Sequence, residues 1–373
     1  MRIAFILNSS GLYGANRSLL GLIRYLQENN VVCFAIIPGK GDIEQEFSKM
    51  NVEYRTAVYR SCAWYPGYKG APFLVNLYNI PKMARVIKKW NVDIIHTNSS
   101  SHDIGMIIAK LLKKRHVWHI REILEDFYNT KWIFPRLYKK LRYYSDAVIC
   151  VSKYTYDYHM RVYPNVNMKM IYNPYDVEYY NIARKEFAPK QVVTILMVGG
   201  FAKQKRQMDS VKAIRILDNR GIKNVQLLLA GGGESSLIKE VKDYIDENNL
   251  QDRIKLLNYV ADLREIRKKS DIALCCSDGE ALPRVVVEGM LGELLAIGAN
   301  SGGIAELIND KQTGLLYEVG NCEQLASQIE YAIYHKEECR EMIVAAKKYA
   351  INNFELSHSG EKVLEVYRSI LKL

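Results

Sequence analysis

The sequence predicts an α/β protein made of two doubly wound, parallel-sheet domains. Its 373 residues, 49% of them apolar, are too many for one ordinary domain and enough to fill two cores. Short apolar runs alternate with amphipathic helical patterns, which is typical of a parallel sheet with helices on both faces. The alternation is interrupted between residues 173 and 190, where Pro174 and Pro189 indicate a linker.

The first domain is expected to span residues 1–175. Helical patterns at Ser18–Glu28, Ile80–Trp90 and Ile104–Lys114 separate its apolar runs. The predicted strands are Arg2–Asn8, Val31–Pro38, Val52–Val58, Val92–Thr97, His116–Arg121, Ala147–Val151 and Met168–Tyr172.

The second domain is expected to span residues 190–350, followed by a final helical segment over 351–373. In a sheet of this kind, ligands bind beyond the carboxyl ends of the strands. The predicted strands are Val192–Val198, Val225–Ala230, Arg253–Tyr259, Asp271–Ser277 and Leu294–Ala299. The predicted helices are Met208–Asn219, Leu237–Asn248, Leu263–Lys268 and Arg284–Leu291.

Composition and the N-terminal sequence favour a cytoplasmic protein. The chain opens directly on a predicted strand, without the basic and apolar regions of a signal peptide. No apolar run reaches the roughly 18 residues that span a bilayer. The seven cysteines include no C-x-x-C pair, so we expect free thiols in a reducing compartment. The alternative is that Cys276 acts as a nucleophile.

Charge is distributed unevenly between the two halves. Residues 1–190 contain 28 Lys and Arg against 15 Asp and Glu, a net charge of +13. Residues 191–373 contain 24 basic and 26 acidic residues, a net charge of −2. The first half is therefore expected to meet an anionic partner.

Two glutamates, Glu280 and Glu288, stand on either side of Pro283. Glu280 follows the predicted strand Asp271–Ser277, and Glu288 lies in the predicted helix Arg284–Leu291. Pro283 suits the first helical position, where a missing N–H costs nothing. A helix start presents free N–H groups and a positive dipole end to an anion.

A second glycine-rich turn, Ser301–Gly303, opens another predicted helix, with Glu306 near its start. Carboxylates pair with the hydroxyl groups of sugars, and helix N-termini pair with phosphates. Two such helix starts and three acids at one sheet edge suit a sugar nucleotide.

The run Glu280-Ala-Leu-Pro-Arg-Val-Val-Val-Glu288, followed by Gly302-Gly303-x-x-Glu306, resembles the E-x7-E signature of the retaining glycosyltransferases of family 4. The resemblance covers the whole chain. It implies the GT-B fold: two Rossmann-like domains that face a cleft, with the last helix crossing back to the first domain. It also implies an acceptor-binding first domain and a nucleotide-sugar-binding second domain.

By this resemblance, Glu288 binds the ribose hydroxyls of the nucleotide, and Glu280 holds the donor sugar. Other donor-binding residues implied around the two turns are Leu282, Pro283, Arg284, Gly303 and Glu306. The sequence has no D-x-D motif or histidine cluster for a metal, and we expect no cofactor. Lysine and helix dipoles would then carry the leaving-group charge. A UDP-sugar is the expected donor.

The family's G-R-x-x-x-x-K pattern places an arginine and a lysine on the donor diphosphate. Lys205 matches the lysine, but Gly200 stands where the arginine belongs. Lys203 or Arg206 could supply the second charge. A further glycine-rich loop at residues 229–236 resembles the loop near the nucleotide base, with Gly231 as its donor-binding glycine.

Further candidates lie in the turn after the first strand of the first domain and at the ends of two later strands. By resemblance, Gly14 in the turn Asn8–Asn16 lies over the donor phosphates, and His119 contacts the donor sugar. The catalytic group is thus expected to comprise His119, Lys205 and Glu280. The alternative for Gly14 is that a tight turn between strand and helix requires a glycine. The alternative for His119, and for His96, is a structural histidine that forms hydrogen bonds only with the neighbouring backbone. Arg121 could serve an acceptor phosphate.

The segment 131–144 interleaves aromatic and apolar side chains with Lys and Arg, which suits the surface of an anionic membrane. An ordinary amphipathic surface helix is the alternative, and no nucleic-acid motif accompanies the basic residues. Residues 61–73, with Trp64, Tyr65, Pro66 and Tyr68, form a second candidate for acceptor or lipid contact.

Together with these features, the family resemblance implies a metal-independent glycosyltransferase for cell-surface polysaccharide synthesis; retention of the anomeric configuration is implied by the resemblance alone. Its acceptor is expected to be a glycan or a lipid-diphosphate-linked sugar at the inner membrane face. Two alternatives stay open: a sugar-nucleotide 2-epimerase, and a catalytically silent sugar-nucleotide-binding partner of a glycan assembly complex.

Overall fold

A computed structural model describes residues 1–61, 63–64, 72–125, 130–132, 135–181 and 192–372. The chain packs as two compact units. The first unit joins Met1–Tyr175 to Phe354–Leu373, and the second is the continuous stretch Asp176–Asn353.

The first unit is built on a parallel sheet of seven strands within the described residues, in the order β3-β2-β1-β5-β6-β8-β9. Strand β1 pairs with β2 on one side and β5 on the other, so the strand order reverses at β1. The strands are β1 (Arg2–Leu7), β2 (Val32–Ile37), β3 (Glu53–Thr56), β5 (Ile94–Asn98), β6 (Arg115–Ile120), β8 (Ala147–Cys150) and β9 (Met168–Met170). Two short strands, β4 (Ala63–Trp64) and β7 (Lys131–Trp132), form a separate antiparallel pair.

Helices cover both faces of this sheet, because the side chains of its central strands are buried on both sides, whether apolar or polar. Strand β5 is buried at every position, and β1 at all but its first. The helices of the first unit are α1 (Gly14–Glu28), α2 (Ile43–Lys49), α3 (Pro72–Trp90), α4 (Ile104–Leu112), α5 (Pro135–Tyr143), α6 (Lys153–Val162) and, from the C-terminus, α15 (Leu356–Leu371).

The C-terminal helix α15 packs against α1 inside the first unit. Val363, Leu364 and Tyr367 belong to the same apolar cluster as Phe5. The tyrosine hydroxyl of Tyr25 donates to the Glu361 carboxylate at 2.7 Å, which ties the two helices at their surface. The last helix therefore completes the core of the unit in which the chain begins.

The prediction of one helical segment over 351–373 is wrong, because two helices meet at Glu355. Helix α14 (Lys336–Phe354) ends at Phe354, and Glu355 has φ −55° and ψ 141°, outside the helical region. The Phe354 carbonyl accepts from the Tyr175 N–H at 2.8 Å instead. The Phe354 side chain is fully buried, so the chain turns here to place it in a core.

The second unit has a six-stranded parallel sheet in the described residues, ordered β12-β11-β10-β13-β14-β15. This is the order of a doubly wound dinucleotide-binding sheet, with its reversal between β10 and β13. The strands are β10 (Val193–Val198), β11 (Val225–Ala230), β12 (Ile254–Leu257), β13 (Ile272–Cys275), β14 (Leu295–Ala299) and β15 (Leu315–Tyr317).

Some elements of the second unit were not expected from the sequence. The short strand β15 and the helices Cys322–Tyr334 and Lys336–Phe354 were not predicted, and part of the expected linker forms a helix, α7 (Val177–Tyr180). The Asp176 carboxylate starts α7 by accepting from the Tyr179 N–H at 3.1 Å. The helices are α7 (Val177–Tyr180), α8 (Gln207–Asn219), α9 (Ser235–Glu247), α10 (Arg264–Lys269), α11 (Arg284–Leu291), α12 (Gly302–Leu307), α13 (Cys322–Tyr334) and α14.

Within the ranges given above, none of the helices has both the length and the apolar composition needed to cross a bilayer.

Candidate functional site

The loops after β10 and β13 flank the point where the strand order of the second unit reverses. Ligands of doubly wound sheets bind beyond the strand ends at such a point. Lys205 lies in the first of these loops, in a short 3₁₀ turn over Lys203–Lys205. Glu280 lies in the second, between β13 and α11. The two loops are joined by the Asp278 N–H, which donates to the Gln204 carbonyl at 2.8 Å.

Lys205 and Glu280 form an ion pair across this reversal point. Their side chains are 28% and 19% exposed, so both remain within reach of a solute. The same Glu280 oxygen accepts from the Ser277 hydroxyl at 2.8 Å, which fixes the carboxylate at the mouth of β13. A cation for phosphate and an acceptor for sugar hydroxyls thus lie side by side.

The second glycine-rich turn supports the Glu280 loop from behind. The Gly303 N–H donates to the Glu280 carbonyl at 2.7 Å, and the Gly279 N–H donates to the Ser301 hydroxyl at 3.0 Å. A side chain on Gly303 would place its Cβ 2.3 Å from the Ala281 carbonyl oxygen. Gly302 has φ +52°, and its Cβ would meet the Glu280 carbonyl at 2.8 Å. The glycines are needed because two backbones touch there.

The other residues expected in these turns lie close by. Leu282 is buried. Pro283 was expected at the first helical position of α11. It is the N-cap instead, because its ψ of 109° is extended. Gly303 is buried at the start of α12, and Glu306 is partly exposed on the same short helix.

Glu288 lies in α11 and is only 7% exposed. One carboxylate oxygen pairs with Arg267. The other accepts from Arg284 at 3.0 Å and from the Tyr180 hydroxyl at 3.2 Å. Burial opposes ionisation, but the two guanidinium groups prevail and lower the pKa of the Glu288 carboxyl below its ordinary value. Glu288 is therefore an anion held inside a cage of donors.

Two residues that contact Glu288, Arg267 and Tyr180, are not among the residues predicted from the sequence. Arg267 lies in the basic run of α10, which looks like a solvated helix face, yet it is only 5% exposed. Tyr180 lies in the stretch assigned to the linker, and burial raises the pKa of its hydroxyl to about 12. The one partner of Glu288 that the sequence indicates is Arg284, because i,i+4 spacing places both side chains on one face of a helix. The ribose-binding role of Glu288 stays a prediction.

The glycine loops after β10 and β11 pack backbone to backbone. A Cβ on Gly231, where φ is +153°, would lie 2.2 Å from the Gly199 carbonyl oxygen. A Cβ on Gly233 would lie 2.4 Å from the Phe201 backbone. Gly200 is different: a Cβ there meets the Gly232 carbonyl at 3.4 Å, an ordinary contact. Gly231 is thus required by packing, whereas Gly200 has room for a side chain.

Of the two candidates for the missing cation, Arg206 already has a partner. It has φ +52° and its Nε donates to the Asp209 carboxylate at 2.6 Å. This hydrogen bond raises the pKa of the Arg206 guanidinium. Lys203 is exposed on the same turn as Lys205. Lys203 is therefore the better second cation.

In the first unit, Gly14 is the exposed first residue of α1, just after the loop that follows β1. The buried Asn16 side chain holds that loop by donating to the Ser9 carbonyl at 3.0 Å and the Gly11 carbonyl at 2.8 Å. Side-chain hydrogen bonds therefore hold this loop in a defined conformation at the point where the strand order of the sheet reverses, between β1 and β5. Its expected role over the donor phosphates stays a prediction.

His96, in the middle of β5, and His119, near the end of β6, lie side by side, and both are buried. His119 Nδ1 is 3.2 Å from His96 Nε2. Burial, reinforced by the nearby Arg121 charge, holds the pKa of both imidazoles well below the ordinary value, so both rings are neutral near pH 7. The His119 Nε2 atom has no hydrogen-bond partner in the described part of the chain.

Arg121 is buried at the same edge and its Nε donates to the Asn98 side chain at 2.7 Å. Its guanidinium also bonds the Asn173 side chain and lies 3.4 Å from His119 Nδ1. With a 7% exposed side chain and these partners, Arg121 is built into the unit. This geometry favours a structural role over the acceptor-phosphate role that the sequence analysis considered.

The segment 131–144, called the basic–aromatic segment below, divides into a buried and an exposed side. Arg142 is buried, with its guanidinium 3.7 Å above the Trp118 ring, so this cation is not at the surface. Tyr138 is buried as well and stacks on Trp132. The exposed residues are Lys131, Arg136, Leu137, Lys139, Lys140, Tyr143 and Tyr144.

The candidate loop at residues 61–73 lies mostly outside the described residues, including Tyr65, Pro66 and Tyr68. What the structure gives is the pairing of Ala63 with Trp132 and of Trp64 with Lys131. Phe134 of the basic–aromatic segment is outside the described residues too.

The buried strand thiols are poorly suited to act as nucleophiles, because burial disfavours the thiolate form. Cys33, Cys150, Cys275 and Cys276 are buried and unbridged, as expected. Burial raises the pKa of Cys275 to about 11 and that of Cys276 further still. Within the described ranges, no three His, Cys, Asp or Glu side chains are grouped to hold a metal ion. Metal independence itself stays a prediction.

Two family models match the chain in succession. The first is described as Glycosyltransferase Family 4 and matches residues 13–179. The second is described as Glycosyl transferases group 1 and matches residues 180–349. Together they account for nearly the whole chain.

Individual relatives are distant but span the full length. N-acetyl-alpha-D-glucosaminyl L-malate synthase of Bacillus anthracis is 26% identical over 91% of this chain and 95% of its own. A Campylobacter jejuni enzyme is 24% identical over 99% of both chains. Its name is GalNAc-alpha-(1->4)-GalNAc-alpha-(1->3)-diNAcBac-PP-undecaprenol alpha-1,4-N-acetyl-D-galactosaminyltransferase.

Solved structures share the fold. Anabaena Alr3699/HepE, crystallised with UDP, has a TM-score of 0.85 at 19% identity, covering 99% of this chain and 100% of its own. A glycosyltransferase from Rickettsia africae has a TM-score of 0.84 at 24% identity, covering 100% of this chain and 98% of its own.

Proposed function

The chain belongs to the family 4 glycosyltransferases of the GT-B fold, and on that premise we propose that it transfers a sugar from a UDP-sugar to a lipid-diphosphate-linked glycan. The reaction proposed is retaining and metal-independent. The relatives' sequences support the enzyme class; the donor, the acceptor and the stereochemistry are our proposal.

The observation that carries the proposal is the Lys205–Glu280 ion pair at the reversal point of the second sheet. In the proposed reaction, the bond between the anomeric carbon and the diphosphate oxygen breaks. A bond from that carbon to the acceptor hydroxyl oxygen forms on the same face of the sugar. The hydroxyl proton leaves to an oxygen of the departing nucleoside diphosphate.

Each member of the pair has a separate task in this scheme. The Lys205 ammonium stabilises the negative charge that grows on the departing diphosphate, together with the N–H groups at the start of α11. The Glu280 carboxylate accepts hydrogen bonds from hydroxyl groups of the donor sugar. The Lys205–Glu280 contact places the cation for the diphosphate next to the acceptor for the sugar hydroxyls.

The anionic acceptor is inferred from charge and from relatives. The Campylobacter jejuni relative is named for an undecaprenol diphosphate-linked acceptor. An Escherichia coli relative, 25% identical over 79% of this chain, is named a UDP-Gal:alpha-D-GlcNAc-diphosphoundecaprenol alpha-1,3-galactosyltransferase. The +13 charge of residues 1–190 suits such a substrate. Cell-surface polysaccharide synthesis is the pathway class proposed.

Thermal shift with nucleotides tests the donor. A ligand that binds only the folded state raises stability by about 2.7 kcal/mol at a concentration of 100 Kd. We expect UDP and UDP-sugars to raise the melting temperature by several degrees, with GDP and dTDP less effective at equal concentration. A larger shift with GDP or dTDP would overturn the UDP assignment.

Product analysis tests the reaction class. With a diphosphate-lipid acceptor analogue, proton NMR of the first product should show the donor's own anomeric configuration, and EDTA should leave turnover unchanged. An inverted product would overturn the retaining mechanism, and loss of turnover in EDTA would overturn metal independence. Conversion of UDP-GlcNAc without any acceptor would instead indicate the 2-epimerase.

Introducing the arginine that the family pattern has at position 200 tests whether the chain is a silent partner. The Gly200→Arg side chain has room, and a charge-assisted bond to the diphosphate contributes about 1.5–3 kcal/mol. Since Lys203 can supply part of that charge already, we expect a roughly 3- to 30-fold lower Kd for UDP by titration calorimetry, with turnover preserved or raised. Gln251→Arg, an equal charge on an exposed turn, should leave Kd unchanged.

Turnover by the wild type excludes the silent alternative outright. If neither the wild type nor Gly200→Arg turns over any UDP-sugar while both bind UDP, the enzymatic proposal fails for this chain. Equal Kd values for the wild type and Gly200→Arg would separate position 200 from the diphosphate.

We also propose that the exposed side of the basic–aromatic segment contacts an anionic membrane at its inner face. Leu137, Tyr143 and Tyr144 are 49%, 43% and 43% exposed. Lys110 of α4 lies 4.2 Å from the Tyr144 ring centroid, which adds a cation to the same surface. Exposed aromatic rings between lysines suit the headgroup region of a bilayer.

Removing two lysines should weaken this contact. Each lysine near an anionic surface contributes about 1 kcal/mol, so Lys139→Ala/Lys140→Ala is expected to lower the vesicle partition coefficient about thirtyfold. Flotation with vesicles containing phosphatidylglycerol measures it. The double variant Lys88→Ala/Lys89→Ala on α3, with the same loss of exposed charge, is the control. Equal flotation of the two variants, or no preference for anionic lipid, would contradict the contact.

A further inference from the structure

The Tyr367 hydroxyl reaches from the C-terminal helix to the histidine pair of the first unit. Tyr367 is fully buried on α15, and its hydroxyl lies 2.6 Å from His96 Nδ1. His96 Nε2 in turn lies 3.2 Å from His119 Nδ1. Three side chains from β5, β6 and the end of the chain therefore form one line of hydrogen bonds.

The direction of each hydrogen bond in this line follows from the donor groups at the two ends of the line. His96 Nδ1 is the one hydrogen-bond partner of the Tyr367 hydroxyl among the described residues, so the phenol hydrogen points toward it. A neutral imidazole that accepts at one nitrogen carries its proton on the other. His96 is then the Nε2–H tautomer and donates to His119 Nδ1.

The same logic fixes the second ring. His119 Nδ1 accepts from His96 and faces a guanidinium N–H of Arg121 at 3.4 Å, so a proton on this nitrogen would meet two donors. The His119 proton is therefore on Nε2, the atom that has no partner in the described part of the chain although His119 is 1% exposed. A buried N–H without an acceptor is costly, so such groups call for an explanation.

We propose that Tyr367, acting through His96, is a positioning residue that holds His119 as an Nε2–H donor for an oxygen of the sugar substrate. The proposal rests on the proposed function for the identity of that substrate. The tautomer it assigns does not depend on the substrate. Burial raises the pKa of Tyr367 well above its ordinary value, which keeps the phenol a donor at all working pH values.

The tautomer is measured directly by ¹⁵N NMR of histidine-labelled protein. His119 is assigned by comparison with His119→Gln. We expect wild-type His119 to have a protonated Nε2 and a bare Nδ1. In Tyr367→Phe the phenol donor is gone, His96 is free to exchange its tautomer, and His119 should show a mixture. The matched control is Tyr25→Phe, which removes a hydroxyl bond between α1 and the same helix α15 without touching His96.

A pair of substitutions at His96 separates positioning from packing. Glutamine presents an amide donor near the former Nε2 position, so His96→Gln should keep His119 in the Nε2–H form. Leucine offers no donor, so His96→Leu should give the mixture. Circular dichroism and melting temperature show which variants remain folded. If His96→Leu does not fold, Tyr367→Phe tests the proposal by itself.

The kinetic consequence is expected in kcat rather than in KM. Tyr367→Phe should lower kcat about tenfold with little change in KM for the UDP-sugar, and His96→Gln should retain most of kcat. Nδ1 protonation of His119 in the wild type, or a His119 spectrum unchanged in Tyr367→Phe, overturns the proposal. A wild type without transferase activity would overturn the proposed function while leaving the tautomer result to stand.

Discussion

Lys205→Ala is expected to lower turnover roughly 30- to 1000-fold, equivalent to about 2–4 kcal/mol of transition-state stabilisation. The reason is the position of Lys205 at the reversal point of the second sheet, beside Glu280 and one loop away from the start of α11. A cation there offsets charge that develops only as the diphosphate leaves. Initial rates with a UDP-sugar and acceptor, over a range of donor concentrations, measure the loss.

The control is Lys239→Ala, which removes a lysine that pairs with Asp243 at 2.6 Å on an exposed helix of the same unit. It should behave as wild type. Lys205→Arg, which keeps the charge but changes its shape, should recover part of the loss. Unchanged kinetics in Lys205→Ala would remove this residue from the active site and leave its ion pair with Glu280 as structural.

Glu288→Gln is expected to destabilise the second unit by about 3–5 kcal/mol, because it leaves two buried guanidinium groups without their shared counter-charge. Arg267 and Arg284 both contact the carboxylate, and its side chain is 10% exposed. For a unit of this size, each kcal/mol shifts the melting temperature by about 2–4 °C. Scanning calorimetry should show the drop in the transition of the second unit.

The Glu288 effect should depend on pH in a definite direction. Because the folded-state pKa of this carboxyl lies below its ordinary value of 4.5, its contribution is fully present above that pH. It is lost as the pH falls through the lower folded-state pKa. The difference in stability between wild type and Glu288→Gln should therefore be constant near neutrality and shrink in acid.

Two further variants make the Glu288 prediction specific. Glu240→Gln removes an exposed carboxylate of the same unit and should change stability by less than about 0.5 kcal/mol. Adding Arg267→Met to Glu288→Gln removes one of the two facing cations, so the double variant should be more stable than the sum of the single effects. Additive losses would show that the guanidinium groups do not repel each other.

Much of the fold was predictable because parallel strands are apolar on both faces. Runs such as Val225–Ala230 stand out whatever surrounds them, and the structure has this strand with the same bounds. The short strand Leu315–Tyr317 was missed, since three residues are too few to show a period. The break at Glu355 was missed because it depends on where Phe354 is buried, which is a tertiary property.

In the candidate site, too, some residues were predictable from the sequence and others were not. Glycines at 302 and 303 and the acids around them were found because backbone contacts require glycine and because the spacing is fixed by one turn and one helix. The partners of Glu288 were not found: Arg267 comes from a helix whose composition is that of a solvated surface. Arg142 was assigned to a surface for the same reason, although three aromatic rings surround it. Sequence spacing does not encode contacts between distant elements.

The return of the last helix has a consequence for how the chain folds as it is made. Ile370, three residues from the end, shares an apolar cluster with Ile3. The second unit is continuous from Asp176 to Asn353. All of it is therefore synthesised before α15, the helix that completes the core of the first unit. Domains generally fold as units during synthesis, N-terminal first. We therefore expect the second unit of this chain to complete its fold before the first, which needs α15 for its core.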